Sequence, residues 1–387
     1  CGTWQRAALR RIAPMFVLAA GAAALTLLAE PEPPPMPWLE RPLIAATALW
    51  FYAGQLVAPA ALLPIHPRWQ IDPSALRWWL PLAGCGAVAA LAWLRRPRGL
   101  AHWGLGHFVV TLLPVLGLVP YGFTELSFVA ERHLYLASIG GLLLAALGLD
   151  WLRRRRAGLA ALCAALLVLL LAARTVRQMG VWRDGEALWR HQLAATPAHW
   201  LALNNLAMAL IGQERLAEAA PLLEQALAGR PSYAEAHNNL ALIRYRQGDL
   251  AAAETHSRAA AGLKPDEISF RKNLALTLIG QQRYPEAADE LRAALTTAPD
   301  SVEVNLLLGR VLLAAHRADA ALAPLSMVVG ARPDSAEARF NLALAQVEAG
   351  RPDDARRMLD EALRLRPDFS DARALRGRLA AAAAPPR

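Results

Sequence analysis

Two rhythms of apolar residues divide this chain. Between residues 12 and 173 they run almost unbroken in six stretches: Ile12–Ala29, Pro42–Leu63, Leu76–Leu94, Leu100–Val119, Leu134–Leu149 and Gly158–Ala173. About 20 helical residues cross the hydrocarbon layer of a bilayer, so the pattern predicts a transmembrane domain of five to six helices over residues 1–175. The last two runs are short for that role. Trp38, Trp69, Trp78, Trp79, Trp103 and Trp151 sit near run ends, where an amphipathic ring suits the headgroup region.

From residue 180 the rhythm changes. Prolines recur at Pro197, Pro231, Pro265, Pro299, Pro333 and Pro367, always 34 residues apart, which is the tetratricopeptide period. Leu206, Leu240, Leu274, Leu308 and Leu342 share one position of the repeat. Thirteen residues after each comes an alanine: Ala219, Ala253, Ala287, Ala321 and Ala355. Small residues there let the two helices of a repeat approach, the leucine fills the space between them, and the proline ends the second helix. The expected fold is all-α, a polytopic transmembrane helix bundle followed by a tetratricopeptide solenoid. A half repeat spans 180–199, five repeats span 200–369, and a capping helix with a tail covers 370–387. The half repeat supplies a second helix whose missing partner would be the end of the sixth apolar run, an arrangement that would dock the solenoid on the membrane domain.

Charge sharpens this division. Residues 1–199 hold 18 Arg and Lys against 9 Asp and Glu, while residues 200–387 hold 23 of each, so the whole net charge of +9 lies in the apolar half. That is the signature of short basic loops orienting a membrane protein, and it speaks against nucleic acid as a partner. Placing "RRPRG" at Arg95 and "RRRR" at Arg153–Arg156 in the cytoplasm puts the loop before Leu134, and everything after the sixth run, outside. Arg6, Arg10 and Arg11 then lie against the tendency. The repeats are then expected on the extracytoplasmic side, which in a bacterium is the periplasmic side of the inner membrane. Cys1, Cys85 and Cys163 form no CxxC and have no histidine at ligand spacing, so neither a disulfide framework, a metal site nor a bound cofactor is expected. The chain opens on Cys1, and further membrane segments are expected upstream.

Two constellations carry candidate chemistry. In "FVAERHLYLASIG", Glu131, Arg132, His133 and Tyr135 open an otherwise apolar run, and ionisable groups at a membrane boundary are costly and usually functional. His66, His102 and His107 are scattered and read as interfacial or packing residues. In the repeats, Asn205, Asn239, Asn273 and Asn341 occupy the position before the packing leucine, with Leu307 interrupting the series. Such amides line the concave face. Each offers a donor and an acceptor to an extended polypeptide backbone whatever its side chains, so a bound protein or peptide is the expected partner.

The stretch "ERPLIAATALWFYAGQLVAPAALLPIHPRW", then "LLPVLGLVPYGFTELSFVAERHLYLASIGGLLLA", then repeats of this kind, resembles the transmembrane and tetratricopeptide-repeat O-mannosyltransferases and their bacterial relatives. The second motif stands here as Ala130, Glu131, Arg132, Leu134, Tyr135, Ser138 and Gly140, with Ala137 where that family usually has proline. The resemblance implies a GT-C type glycosyltransferase that moves a sugar, mannose in the named family, from a polyprenyl-phosphate donor to proteins outside the cytoplasm. It implies membrane lipids and polyprenyl phosphate as partners. It also implies that an acidic catalytic loop lies near the N-terminus of the whole protein; residues 1–40 hold Glu30 and Glu32 but no paired aspartates. On that basis Arg132 binds the lipid-linked phosphate, His133 and Tyr135 add hydrogen bonds, and Glu131 steadies the guanidinium. The rival expectation is a non-enzymatic membrane scaffold whose repeats assemble a protein complex.

Overall fold

In a computed structural model of the 387-residue chain, the residues described are 36–382, apart from 58, 60, 61, 96–98, 119–122, 124 and 125. The first apolar run lies outside them. They contain 17 α-helices and no strand, divided at Pro197 into two compact units.

The first unit holds α1 (Glu40–Val57), α2 (Trp79–Arg95), α3 (Leu100–Leu112), α4 (Leu134–Arg155), α5 (Ala157–Val181) and α6 (Gly185–Ala195). Among the described residues two stretches are long and apolar enough to cross a membrane: Glu131–Arg155, made of a 3-10 turn and α4, and α5. The sequence suggested five to six; the first of its runs lies outside the described residues, and local chemistry ends two others early. The second run stops being helical at Val57, because Pro59 and Pro64 lack the N–H a helix needs. The fourth is a 13-residue helix, continued by a 3-10 turn that contains Pro114 and followed by Gly117 at φ 78°. Conversely, the two short runs belong to helices of 22 and 25 residues, since Arg153–Arg155 suit the carbonyl-rich end of α4 and Arg174 and Arg177 extend α5.

Helices α3 and α4 cross backbone to backbone. A β-carbon on Gly140 would land on the Gly104 carbonyl oxygen and 2.9 Å from the Phe108 nitrogen, and one on Gly104 would lie 3.0 Å from the Gly140 oxygen. Only glycine at both positions permits this approach. Around the crossing, Tyr52, Phe108, Leu112, Leu116, Val129 and Ala137 form a core that fixes the segment preceding α4.

The second unit is five helical hairpins and a last helix: α7 (Trp200–Gly212) with α8 (Leu216–Gly229), α9 (Ala234–Arg246) with α10 (Leu250–Leu263), α11 (Ile268–Gly280) with α12 (Tyr284–Thr297), α13 (Val302–Ala314) with α14 (Ala318–Ala331), α15 (Ala336–Glu348) with α16 (Pro352–Leu365), then α17 (Ser370–Ala382). The alanines of the repeat register are sealed at 0% exposure in all five hairpins. Leu206, Leu240, Leu274, Leu308 and Leu342 are buried beside them. Where the others have alanine, repeat four has Gly309, because Leu325 fills the space its β-carbon would need.

Each hairpin turns through one left-handed residue, Glu214, Gly248, Gln282, His316 and Gly350 in succession, with φ between 54° and 81°. The N–H of the following residue reaches back to the carbonyl five positions earlier, as in Arg215 to Leu210 at 3.0 Å and Arg351 to Gln346 at 2.7 Å, closing the first helix of the pair. A second device pins the turns between hairpins. One side chain near the start of a first helix donates to the proline carbonyl six residues before it: His237 Nε2 to Pro231 at 3.0 Å, Arg271 Nε to Pro265 at 2.7 Å, Asn305 Nδ2 to Pro299 at 2.9 Å and Arg373 Nη2 to Pro367 at 2.5 Å.

Candidate functional site

The polar opening of α4 sits in a cleft of about 650 Å³ within the first unit. Its walls come from the end of α1, Pro59 and Leu62–Pro64, the 3-10 turn Glu131–His133, the first turn of α4 and the end of α5. Because α4 and α5 run in opposite directions through a connection at Arg156, the start of one and the end of the other lie together. Tyr135 and Ser138 therefore share a rim with Gln178 and Trp182, at the opposite end of the helix pair from Arg153–Arg156.

Arg132 borders the cleft with its guanidinium exposed, its carbon 4.5 Å from the centre of the Phe123 ring. That stacking orients the group and leaves its edges open for an anion. Tyr135 borders the cleft too and is 79% exposed, so its hydroxyl is open to a ligand.

Glu131 is placed differently from the sequence expectation. Its Oε1 accepts from the Leu63 N–H at 3.2 Å and from His66 Nε2, and among the described residues it makes no bond to Arg132. Adjacent residues in a tight turn point apart, so chain neighbours need not meet. His66, expected to be a scattered packing residue, is thus the buried partner of Glu131, with the Phe51 ring edge-on at 4.8 Å. His133 turns inward: its Nδ1 lies 3.3 Å from the hydroxyl of buried Tyr52, which accepts from the Ala130 N–H at 3.1 Å. It is not among the side chains bordering the cleft. His107 donates from Nε2 to the Leu136 carbonyl at 2.9 Å, a structural contact between α3 and α4.

Sequence reasoning passed over Gln55, Gln178 and Trp182, all on the cleft wall. Gln178 Nε2 donates to the Leu62 carbonyl at 3.3 Å and Arg174 to that of Pro59, so the end of α5 holds both residues. Below it, Gln192 of α6 clasps Ile65, donating to its carbonyl at 2.7 Å and accepting from its N–H at 3.0 Å. The available signal was glutamine at the polar ends of apolar helices, where an amide is rarely idle.

On the solenoid the amides bond across repeats, one position out of the expected register. Asn239 Nδ2 donates to Asn204 Oδ1 at 2.9 Å, and Asn273 Nδ2 to Asn238 Oδ1 at 2.8 Å. Asn205 Oδ1 accepts from Asn204 at 3.3 Å, and Asn341 Nδ2 turns to the Glu337 carbonyl at 2.9 Å. The structure joins the first three expected positions through their neighbours and leaves Asn341 apart. Among the described residues no three His, Cys, Asp or Glu side chains are grouped to hold a metal.

Comparison with known proteins matches tetratricopeptide-repeat family models at residues 204–268, 272–336 and 312–379. Protein O-mannosyl-transferase Tmtc2 of Drosophila melanogaster is 36% identical over 126 residues, 32% of this chain and 13% of that protein. Tmtc1 of the same organism is 39% identical over 123 residues, 30% of this chain and 14% of that protein. Among solved structures, YrrB, described as a TPR protein with an unusual peptide-binding site, aligns at 19% identity and a TM-score of 0.46, over 49% of this chain and 97% of its own. MamA aligns at 16% identity and a TM-score of 0.41, over 44% and 94%. The C-terminal half of the chain is a tetratricopeptide-repeat solenoid, and the chain shares partial sequence similarity with the Tmtc O-mannosyl-transferases.

Proposed function

We propose that the complete protein is a membrane glycosyltransferase of GT-C type, which takes a sugar from a polyprenyl-phosphate donor and passes it to polypeptides held by the repeats. The observation that carries this is the exposed Arg132 guanidinium on the rim of a cleft beside a helix long enough to cross a bilayer. A fixed cation at that boundary is suited to a lipid-linked phosphate, and Tyr135 adds a hydroxyl beside it. The partial similarity to the Tmtc proteins supports the same assignment. Basic loops stay on the cytoplasmic side, which puts Arg153–Arg156 inside and the cleft, with the chain that follows α5, outside.

In the full-length protein, Arg132→Ala removes a charge-assisted contact of about 1.5–3 kcal/mol, a loss of roughly one to two orders of magnitude in donor affinity. Transfer rates measured at limiting donor read this directly, and an unchanged rate would reduce Arg132 to a solvated surface charge.

A second reading is a scaffold without transfer activity; in both, the amide donors of Asn239 and Asn273 are spent between repeats. Calorimetry with an extended peptide tests whether these amides bind backbone or tie the repeats together. A groove that binds backbone loses at least tenfold in affinity when Asn205, Asn239 and Asn273 all become alanine, whereas a structural ladder loses melting temperature instead.

A further inference from the structure

The second hairpin of the solenoid sets two imidazoles face to face. His237 of α9 and His256 of α10 lie Nδ1 to Nδ1 at 3.0 Å. The next hairpin fills the same two register positions with Arg271 and Glu290, and the first hairpin has Leu203 and Leu222 there, so the repeat needs no histidine at either place to pack. Two like bases join their helices less firmly than an ion pair, and their meeting asks for another reason.

Each ring is prepared as a ligand. His237 Nε2 donates to the Pro231 carbonyl at 3.0 Å, which keeps its proton on Nε2 and leaves Nδ1 a lone pair. A backbone carbonyl behind a histidine is a common device for aiming the ring at a metal. His256 then supplies the proton shared between the two Nδ1 atoms, while its own Nε2 has no protein partner among the described residues. Moving that proton through water to Nε2 frees the second lone pair with no net proton released. Burial lowers the pKa of His256, which favours the neutral form that binds metals.

The spacing suits a shared ion. Bonds of about 2.0–2.1 Å from imidazole nitrogen to metal, meeting at about 90–110°, place the two nitrogens roughly 2.9–3.4 Å apart. Charge favours the same outcome. Glu224 of α8 acts on His256 from the adjoining helix; one of its oxygens accepts from Arg244 at 2.7 Å, and the other has no hydrogen bond among the described residues and can accept from a metal-bound water. Both rings are only partly buried, so a hydrated ion can reach them.

We infer that His237 Nδ1 and His256 Nδ1 together hold one divalent transition cation of the class that prefers imidazole, Zn²⁺ or Cu²⁺, with water in its remaining positions. No third His, Cys, Asp or Glu closes the site among the described residues, so the ion exchanges with solvent. It ties the two helices of one hairpin where the next hairpin uses an ion pair. The sequence conceals the site, because the histidines stand 19 residues apart and in no metal motif. The inference does not depend on the donor assignment made for the cleft.

The test uses the tag-free full-length protein in nanodiscs, stripped with a chelator and titrated with Zn²⁺ or Cu²⁺ alone. Calorimetry is expected to show one saturable equivalent, tighter for Cu²⁺ than for Zn²⁺, and none for Mg²⁺. His237→Gln and His256→Gln each weaken it tenfold or more, and Glu224→Gln weakens it less than either. His316→Gln, which gives an exposed turn the residue that the previous repeat carries there as Gln282, leaves it unchanged. Bound Cu²⁺ should show electron-paramagnetic coupling to two imidazole nitrogens, falling to one in His256→Gln. Saturating Zn²⁺ should raise the melting temperature of the wild type and leave that of His256→Gln unmoved. Metal-free melting of each variant separates lost binding from lost folding. His256→Gln, which leaves the Pro231 bond in place, carries the test if His237→Gln does not fold. An equivalent that keeps full affinity in both histidine variants belongs elsewhere in the chain and overturns the site, as does a wild type that binds neither ion. A wild-type copper spectrum with a single nitrogen overturns the shared ligation.

Discussion

Position 282 carries an exposed glutamine at φ 61°, a conformation that costs a side-chain-bearing residue about 1 kcal/mol and glycine almost nothing. Its equivalents Gly248 and Gly350 avoid that strain. Gln282→Gly is therefore expected to raise the stability of the solenoid by about 0.5–1 kcal/mol, and Gly248→Ala to lower it by a similar amount, both read from denaturant midpoints. The sequence fits this only in part. Two glycines mark the turn, but Glu214, Gln282 and His316 hide it, because a residue is tolerated there when the back-bonded turn around it overrides its preference. The cleft shows a similar limit. Arg132 and Tyr135 were legible as polar letters opening an apolar run, whereas the partner of Glu131 lies 65 residues away at His66, a separation no local pattern reports.

Among elements, the α3–α4 crossing depends on two atoms that glycine lacks. Gly140→Ala should force the helices apart and lower the melting temperature of the purified protein, while Gly106→Ala, where nothing lies within 4 Å of a new β-carbon, serves as the matched control and should leave it unchanged. A second element-scale prediction concerns the α9–α10 hairpin. Where the next repeat pairs Arg271 with Glu290 at 3.0 Å, this one sets His237 against His256, Nδ1 to Nδ1 at 3.0 Å. Burial holds His256 below the ordinary histidine value; His237 and Arg244 act in the same direction, and Glu224 opposes them. Burial likewise lowers His199 at the start of α7. A histidine depressed in the folded state favours folding above the unfolded value of about 6.5 and loses that contribution as pH falls below it. Denaturation midpoints of the solenoid should thus be flat from pH 8 to 7 and decline toward pH 5, with the decline shallower in His256→Gln. Among the described residues helix existence was legible from the sequence, but helix length was not: hydropathy counts apolar letters, while Pro59, Pro64 and the Pro114–Gly117 turn decide where hydrogen bonding stops.

For the whole molecule, the proposed extracytoplasmic side of the repeats rests on Arg153–Arg156, and on that proposal a reporter fused after Pro367 should be active outside the cytoplasm and silent within it. Activity confined to the cytoplasm would reverse the proposed orientation and with it the access of the cleft to extracytoplasmic acceptors. The solenoid was the most legible part of the chain, since a 34-residue period states the same structure five times, and the sealed alanines answer to it one by one. Asn239 and Asn273 donate from the recurring position while their acceptors, Asn204 and Asn238, lie one residue before it, because a period fixes which positions recur but not which neighbour each side chain chooses.

The proline tether has a consequence for how such a chain can change. The joints at Pro231, Pro265 and Pro299 are each locked by a donor from the hairpin that follows, and that donor is an imidazole, a guanidinium or an amide without altering the joint. Pro265 and Pro299 are both followed by aspartate, so excising residues 266–299 rejoins the same dipeptide and presents an equivalent surface to the next hairpin. The shortened protein should still unfold cooperatively at a lower midpoint, whereas excising 33 residues puts every later helix a residue out of phase and should abolish the transition. Length in this molecule is thus counted in whole cassettes: duplication or loss of one unit is a small step for its genome, and a single-codon slip is a large one.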